Sequence, residues 1–314
     1  MLNHTYMTPR PLGRTGFVVS SLALGTVSLG VPYGIPAPGA RTPDRAEALE
    51  LLRAARAAGI TFYDTAPNYG TAEALRGKAL GADETSILAT KVSLPPAGTS
   101  GEELTASLGV SVEHSRRALR RDRLDVLQIH NLTVADLARP GLADALQALR
   151  DRGWVGALGA SIYTEEEALA ALASGWCDVL QVPYNLLDQR MRPRVFAAAR
   201  AAGVAVLTRS AYLKGALTGK SAWLPPTMPA LLAAVARLES QLPPDQADLT
   251  AAALRFCVHD PAITSVMVGP AKLAELDQTL ALAAGDLPTE LRQRLEGCGC
   301  DNPAVTDPRC WPIP

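Results

Sequence analysis

The sequence carries almost no net charge: across 314 residues the formal balance at neutral pH is −1. No global field therefore draws it to nucleic acid or to an anionic membrane. Long apolar runs are missing too. No segment approaches the roughly 18 uninterrupted apolar residues of a membrane span. The opening MLNHTYMTPRPLGRTG lacks the apolar core of a secretory leader, which points to a cytoplasmic protein. Histidine is scarce, at four residues. A metal centre of paired histidines and carboxylates is therefore not on offer, and no metal is expected. Of the five cysteines, Cys298, Cys300 and Cys310 cluster late with no histidine nearby. They read as free thiols on a tail, and Cys177 and Cys257, set in apolar runs, as buried thiols. No G-x-G-x-x-G follows a strand, so the mark of a doubly wound dinucleotide fold is absent. LKGALTGKS imitates a phosphate loop but places three residues, not four, between Gly215 and Gly219.

What the chain does have is an ordinary globular composition, 48% hydrophobic and 19% charged. It is long enough for a large core, and we read residues 1–314 as a single domain. Short β-rich runs alternate with alanine-rich amphipathic ones. Strands are predicted at 20–26, 61–66, 86–92, 123–131, 156–162, 178–185, 205–211 and 265–269. Helices are predicted at 44–59, 71–81, 102–120, 141–153, 164–175, 192–203, 248–260 and 271–285. Thr164 and Glu167 form a capping box at the start of the fifth helix. The strands are near-continuous apolar runs, the pattern of a parallel sheet buried on both faces. Eight strand–helix units is the count of a (β/α)8 TIM barrel. RPLGRTGFVVSS reads as an N-terminal β-hairpin capping the barrel bottom, and the C-terminal tail as lying near the active site.

In such a barrel the chemistry sits at the C-terminal ends of the strands. Asp64 closes the second strand and Tyr69 follows in its loop. Lys91 ends the third strand, His130 and Asn131 the fourth, and Ser161 the fifth. Gln181, Tyr184 and Asn185 belong to the sixth, Arg209 and Ser210 to the seventh. Taken singly, each is an ordinary cap, surface or core residue. Together, on neighbouring strands, they make a unit with a physical logic. Asp64 keeps a buried Lys91 charged. An ammonium close to Tyr69 favours its phenolate form, so the phenol can act as a general acid near neutral pH. His130 can hydrogen-bond a substrate carbonyl.

These residues, in DTAPNYG, ATK and QIHN, resemble the aldo-keto reductases, and the likeness runs from PLGRTGFVVSSLALGT to VMVGPAKLAELDQTL. The resemblance implies an NAD(P)H-dependent enzyme on a (β/α)8 barrel that reduces a small-molecule aldehyde or ketone. Its catalytic tetrad falls on Asp64, Tyr69, Lys91 and His130. Ser161 and Gln181 hold the nicotinamide carboxamide, and the loop from Ser210 to Gly219 passes over the pyrophosphate. Arg209, Leu213, Gly215, Gly269, Lys272 and Gln278 complete the cofactor set, and Tyr33, Asn131, Trp223 and Trp311 are the candidates for the substrate pocket. GTVSLGVPYGI, YNLLDQR, RSAYLKGAL and DPRCW are similar to reductases encoded among bacterial surface-sugar and nucleotide-sugar genes. The chain departs from the family at Ile162, at Arg209 where an aromatic commonly stacks on the nicotinamide, and at Ala271 and Glu275 near the adenine end. NADP(H) is the expected cofactor, with NAD(H) as the other possibility, because a carboxylate near the ribose repels a 2′-phosphate. Arg209, Lys214 and Arg190 hint at an anionic substrate. A monomer or small homo-oligomer is expected. The alternative function is a cofactor-binding, redox-sensing regulatory subunit with little turnover.

Overall fold

The computed structural model describes residues 7–244 and 248–313, so the first six residues of the opening segment lie outside it. An antiparallel hairpin comes first, β1 (Pro9–Pro11) and β2 (Val18–Ser20). Eight parallel strands then close a barrel. They are β3 (Leu22–Gly25), β4 (Phe62–Asp64), β5 (Ile87–Val92), β6 (Leu124–Ile129), β7 (Val155–Ser161), β8 (Val179–Pro183), β9 (Ala205–Arg209) and β10 (Ser265–Val268). β10 pairs back onto β3 and completes the cylinder. The (β/α)8 barrel with its N-terminal hairpin is thus the fold.

Side chains alternate along a strand, and here the alternation sorts them by chemistry. One parity turns Leu24, Tyr63, Leu88, Leu127, Leu158, Leu180, Val206 and Val266 outward, into the core shared with the helices. Fully burying such a side chain is worth about 1.5–3 kcal/mol. The other parity turns Ala23, Phe62, Ala89, Val126, Ala157, Val179, Ala205 and Met267 into the barrel lumen. Leu12 and Val19 join that inner cluster and Phe17 packs against it, so the hairpin plugs the N-terminal end. Two residues further along, the same inward parity reaches Asp64, Lys91, Gln128, Gly159, Gln181 and Gly269, and on β9, where Leu207 still belongs to the apolar cluster, it reaches Arg209 four residues beyond Ala205. The lumen is therefore apolar below and polar at its C-terminal mouth.

The helices begin where their caps dictate. Asp44 with Glu47, Ser100 with Glu103, and Thr164 with Glu167 each form a capping box. Besides three four-residue helices, Val27–Gly30, Val134–Leu137 and Pro303–Thr306, two longer ones fall where no helix was read. Pro229–Glu239 fills the insertion after β9, with Pro229 in its first turn, and Thr289–Glu296 follows the last barrel helix. The sixth barrel strand is shorter than its apolar run. It leaves the ladder after Pro183, and Asn185 Oδ1 accepts from the N–H groups of Leu187 and Asp188, making a turn. Tyr184 is then buried with its ring 5.0 Å from Phe196 and 5.6 Å from Phe256, so neither residue reaches the barrel mouth. No helix among the described residues is long and apolar enough to cross a membrane.

Candidate active site

The mouth is organised around one carboxylate. Lys91 Nζ donates to Asp64 Oδ2 at 2.5 Å and to the Thr65 carbonyl at 2.9 Å. Asp64 Oδ1 accepts from Gln181 Nε2 at 2.8 Å and from Gln128 Nε2 at 3.0 Å. Gln181 Nε2 also reaches Gln128 Oε1 at 3.0 Å. Asp64 is thus satisfied on both oxygens in a buried setting, where an unpaired charge would be very costly. The side chains of Lys91 and Asp64 are 1% and 5% exposed. Burial works against the ammonium, but Asp64 and Tyr69, by charge and hydrogen bond, outweigh it and hold Lys91 above its ordinary range.

Gln128 was not singled out in the sequence. The inward parity of QIHN, which picks out His130, picks out Gln128 as well, two residues earlier. Its place depends on Gly159, its register partner on β7. A Cβ there would sit 2.7 Å from the Val179 carbonyl oxygen and 3.0 Å from Gln128 Cγ. Only glycine leaves room for the amide to lie across the lumen.

Tyr69 comes back over this base from the loop after β4. Lys91 Nζ is 5.0 Å from the centre of its ring. His130, immediately after β6, meets Tyr69 edge-on with ring centres 6.0 Å apart. Its imidazole is pushed down to about 3, first by burial and then by the charges of Lys91 and Arg209. It is therefore neutral at physiological pH and keeps one N–H to donate. The four residues of the expected tetrad converge in space.

A cavity of about 400 Å³ opens beside them. Asp64, Tyr69, Tyr33, Gln181, Arg209, Ser210, Leu213, Gly215, Gly269 and Gln278 line it. Ser161 stands behind Gln181, its hydroxyl 3.4 Å from Gln181 Oε1. Lys272 is turned away, donating to the Gly39 carbonyl at 2.9 Å, which ties down the Gly- and Pro-rich loop of residues 27–43. Of the residues expected to bind substrate, Tyr33 lines the cavity and is 47% exposed. Asn131 is exposed in a left-handed conformation with φ 55°. Trp223 lies in a 3-10 turn at 53% exposure, and Trp311 is buried, donating Nε1–H to the Ala304 carbonyl at 3.0 Å. None of these three lines the cavity.

The far wall of the cavity is a tight, partly left-handed turn. Ser210, Leu213 and Lys214 take positive φ values of 67°, 47° and 54°, and Gly215 follows at 102°. Left-handed non-glycine residues cost about 1–3 kcal/mol each. The turn closes on itself: the Leu213 and Gly215 N–H groups donate to the Ser210 and Tyr212 carbonyls, each at 2.8 Å. An ion pair closes the same end: Lys220 Nζ lies 2.9 Å from Glu275 Oε1, while Glu275 Oε2 accepts from the Ala271 N–H at 2.8 Å. Burial opposes the Glu275 charge, but Ala271 and Lys220 prevail and hold the carboxyl below its ordinary range. The cavity thus joins the Gln181 amide to a turn flanked by Lys214 and Lys220, a lining whose chemistry suits the amide and phosphates of a dinucleotide.

The tail also arrives at this face. The Cys300 N–H donates to the Leu187 carbonyl at 2.9 Å, in the loop beyond β8. The Arg309 guanidinium lies 3.5 Å from the centre of the Tyr163 ring, next to Ile162 at the end of β7.

Comparison with known proteins agrees with the geometry. The pattern of the aldo/keto reductase family matches residues 21–299. Aldo-keto reductase YhdN of Bacillus subtilis is 32% identical over 216 residues, covering 66% of this chain and 62% of that protein. Pyridoxal 4-dehydrogenase of Microbacterium luteolum is 29% identical over 338 residues, covering 92% of this chain and 97% of that one. Among solved structures, the holo form of aldo-keto reductase AKR11C1 from Bacillus halodurans superposes with a TM-score of 0.78 at 25% identity, covering 93% of this chain and 96% of that one. The chain is a member of the aldo/keto reductase family, an NAD(P)H-dependent oxidoreductase.

Proposed function

We propose that the protein reduces the carbonyl of a small aldehyde or ketone to an alcohol, with Tyr69 as the general acid. The observation that carries this reading is the buried Lys91–Asp64 pair directly beneath the Tyr69 ring, with neutral His130 at its edge. Reduction places negative charge on the substrate oxygen. Tyr69 supplies the proton that quenches it, and the ammonium below favours the phenolate left behind. His130 donates its N–H to the same oxygen and fixes the carbonyl. Asp64 keeps Lys91 charged and oriented, and Gln128 and Gln181 keep Asp64 from turning. The cavity would hold a nicotinamide cofactor, whose chemistry when bound would be hydride transfer to the carbonyl carbon. Ser161 and Gln181 would hold its carboxamide, the turn 210–215 its pyrophosphate, and Gly269 and Gln278 the adenosine end.

The form of the cofactor turns on Glu275. Lys220 is bound to Glu275, and Lys272 to a backbone carbonyl. Glu275 offsets the charge of Lys220 and its carboxylate repels a 2′-phosphate, while Lys272 keeps its charge but is held toward Gly39. This supports NAD(H). The NADP(H) expected from the family would have Lys220 leave Glu275, or Lys272 leave the Gly39 carbonyl, for the 2′-phosphate. Sugar and nucleotide-linked sugar carbonyls are the first substrates to assay. Absorbance of the reduced nicotinamide, followed with each cofactor over a panel of aldehydes, ketones and such sugars, tests the whole reading. No oxidation of either cofactor with any member would overturn it.

A further inference from the structure

We propose that Arg209 is the anion-binding element of the substrate site, so that the preferred carbonyl compound carries a carboxylate or phosphate. The inference rests on the carbonyl-reducing function above. It starts from which charges around the cavity are already matched. The cavity's two carboxylates are Asp64 and Glu275, and Lys91 and Lys220 answer them. Arg209 and Lys214 also line the cavity, and neither has an ion-pair partner among the described residues. Lys214 belongs to the strained turn on the cofactor side, its ammonium 5.2 Å from the centre of the Tyr33 ring. Arg209 belongs to the catalytic side.

Its placement is fixed by three contacts. The backbone leaves β9 paired with Pro183 of β8. The side chain crosses the end of β8, and its Nη2 donates to the Ile162 carbonyl at 2.8 Å, just beyond β7. The guanidinium carbon rests 4.1 Å from the centre of the Tyr163 ring, against which Arg309 also lies. Arg309 is neutralised by a two-pronged contact with Asp307; Arg190 is held the same way by Asp188. Neither is left with a charge to satisfy. Arg209 spends one of its five N–H donors on a carbonyl and keeps the rest, in a pinned planar fork, at the mouth that holds Tyr69 and His130. A guanidinium fork of this kind suits a carboxylate or phosphate, and its orientation is set before the substrate arrives.

The test pairs each acid with an uncharged twin: glyoxylate, succinic semialdehyde and 4-carboxybenzaldehyde against their methyl esters, and glyceraldehyde 3-phosphate against glyceraldehyde. The readout is the ratio of kcat/KM within each pair, so any shared loss through folding or cofactor binding cancels. Wild type should favour the anion in at least one pair by about tenfold or more, mainly through KM. Arg209→Met should bring that ratio close to one, and Arg209→Lys should restore part of it. Equal kcat/KM within every pair in wild type, or a preference that survives Arg209→Met, overturns the assignment. A binding measurement separates this from failure of the catalytic reading. With cofactor present, benzoate should raise the Tm of wild type and leave Arg209→Met unmoved. If no aldehyde turns over, that shift alone decides, and its absence in wild type refutes the anion site.

Discussion

Gly30 and Tyr69 meet at the backbone. A Cβ on Gly30 would fall 1.8 Å from the Tyr69 carbonyl oxygen and 2.9 Å from the Ala72 N–H nitrogen. The short helix Val27–Gly30 therefore docks directly on the loop that carries the acid. Gly30→Ala must push that loop away. We expect kcat/KM to fall about tenfold to a hundredfold, since displacements near 1 Å are costly in a positioned site, with a drop in Tm alongside. Steady-state kinetics and a thermal melt check this. Unchanged kcat/KM would mean the loop tolerates the shift and Tyr69 is placed by something else.

Tyr69→Phe removes the proton donor and leaves the ring. Reduction of any good substrate should drop by about two to four orders of magnitude. Cofactor affinity, read by fluorescence of the bound reduced nicotinamide, should stay within about twofold of wild type, because Phe can keep the contact with Lys91. Retention of most of kcat would remove Tyr69 from its role.

Lys91→Met breaks a buried pair from one side. Asp64 keeps its two amide donors but loses its cation, and the expected loss of stability is about 3–5 kcal/mol. Activity should nearly vanish. The surviving rate should have a pH profile altered on its alkaline side, because the ammonium no longer favours the phenolate. A profile that superposes on wild type would defeat the tuning role of Lys91. The double variant Asp64→Asn with Lys91→Met should regain stability without regaining activity, since no uncompensated charge stays buried.

His130 ties stability to pH. Its ordinary value is 6.5, and in the fold burial first, then Lys91 and Arg209, bring it to about 3. Between those pH values the unfolded chain binds the extra proton and the folded chain does not. Stability from this residue is therefore complete above about pH 6.5 and is lost as the pH falls toward 3. Thermal melts at pH 7.5 and 5.0 should show a larger drop for wild type than for His130→Asn. Equal drops would mean that the imidazole is free to charge in the fold.

Glu275→Ala frees Lys220. The ratio of kcat/KM for NADPH over NADH should rise by about tenfold, as a cation replaces a carboxylate in the field of a 2′-phosphate. An unchanged ratio would place the pair away from the ribose.

The barrel was legible because near-continuous apolar strand runs alternate without a break with helices of period 3.6. Of the four converging side chains, Asp64, Lys91 and His130 were legible because each ends an apolar run, and Tyr69 because it follows Asp64 in the loop of DTAPNYG. The strand ends overshot where a side chain took over from the ladder, as Asn185 does after Pro183. Pro229–Glu239 was passed over although LLAAVARLE has a helical period, because the stretch lay inside an insertion between two barrel units. Gln128 shared its signal with His130, whereas the Lys220–Glu275 contact had none. Those residues are far apart in sequence, and although Glu275 stands out near the adenine end, nothing marks Lys220 as its partner until the chain folds. Trp223 and Trp311 were candidates as aromatics in the segments 212–226 and 298–314, and an aromatic in a loop or tail can equally be a pocket wall or a packing residue.

The tail bears on how the protein should be handled. Arg309 touches Tyr163, and Tyr163 touches the Arg209 that faces the cavity. The β1–β2 hairpin plugs the opposite end of the barrel. A purification tag fused behind the last residues would leave from the face that admits substrate, only a few residues beyond Arg309. A preparation tagged there should be assayed before and after the tag is cleaved, and one tagged ahead of the hairpin is the better starting material for every measurement above.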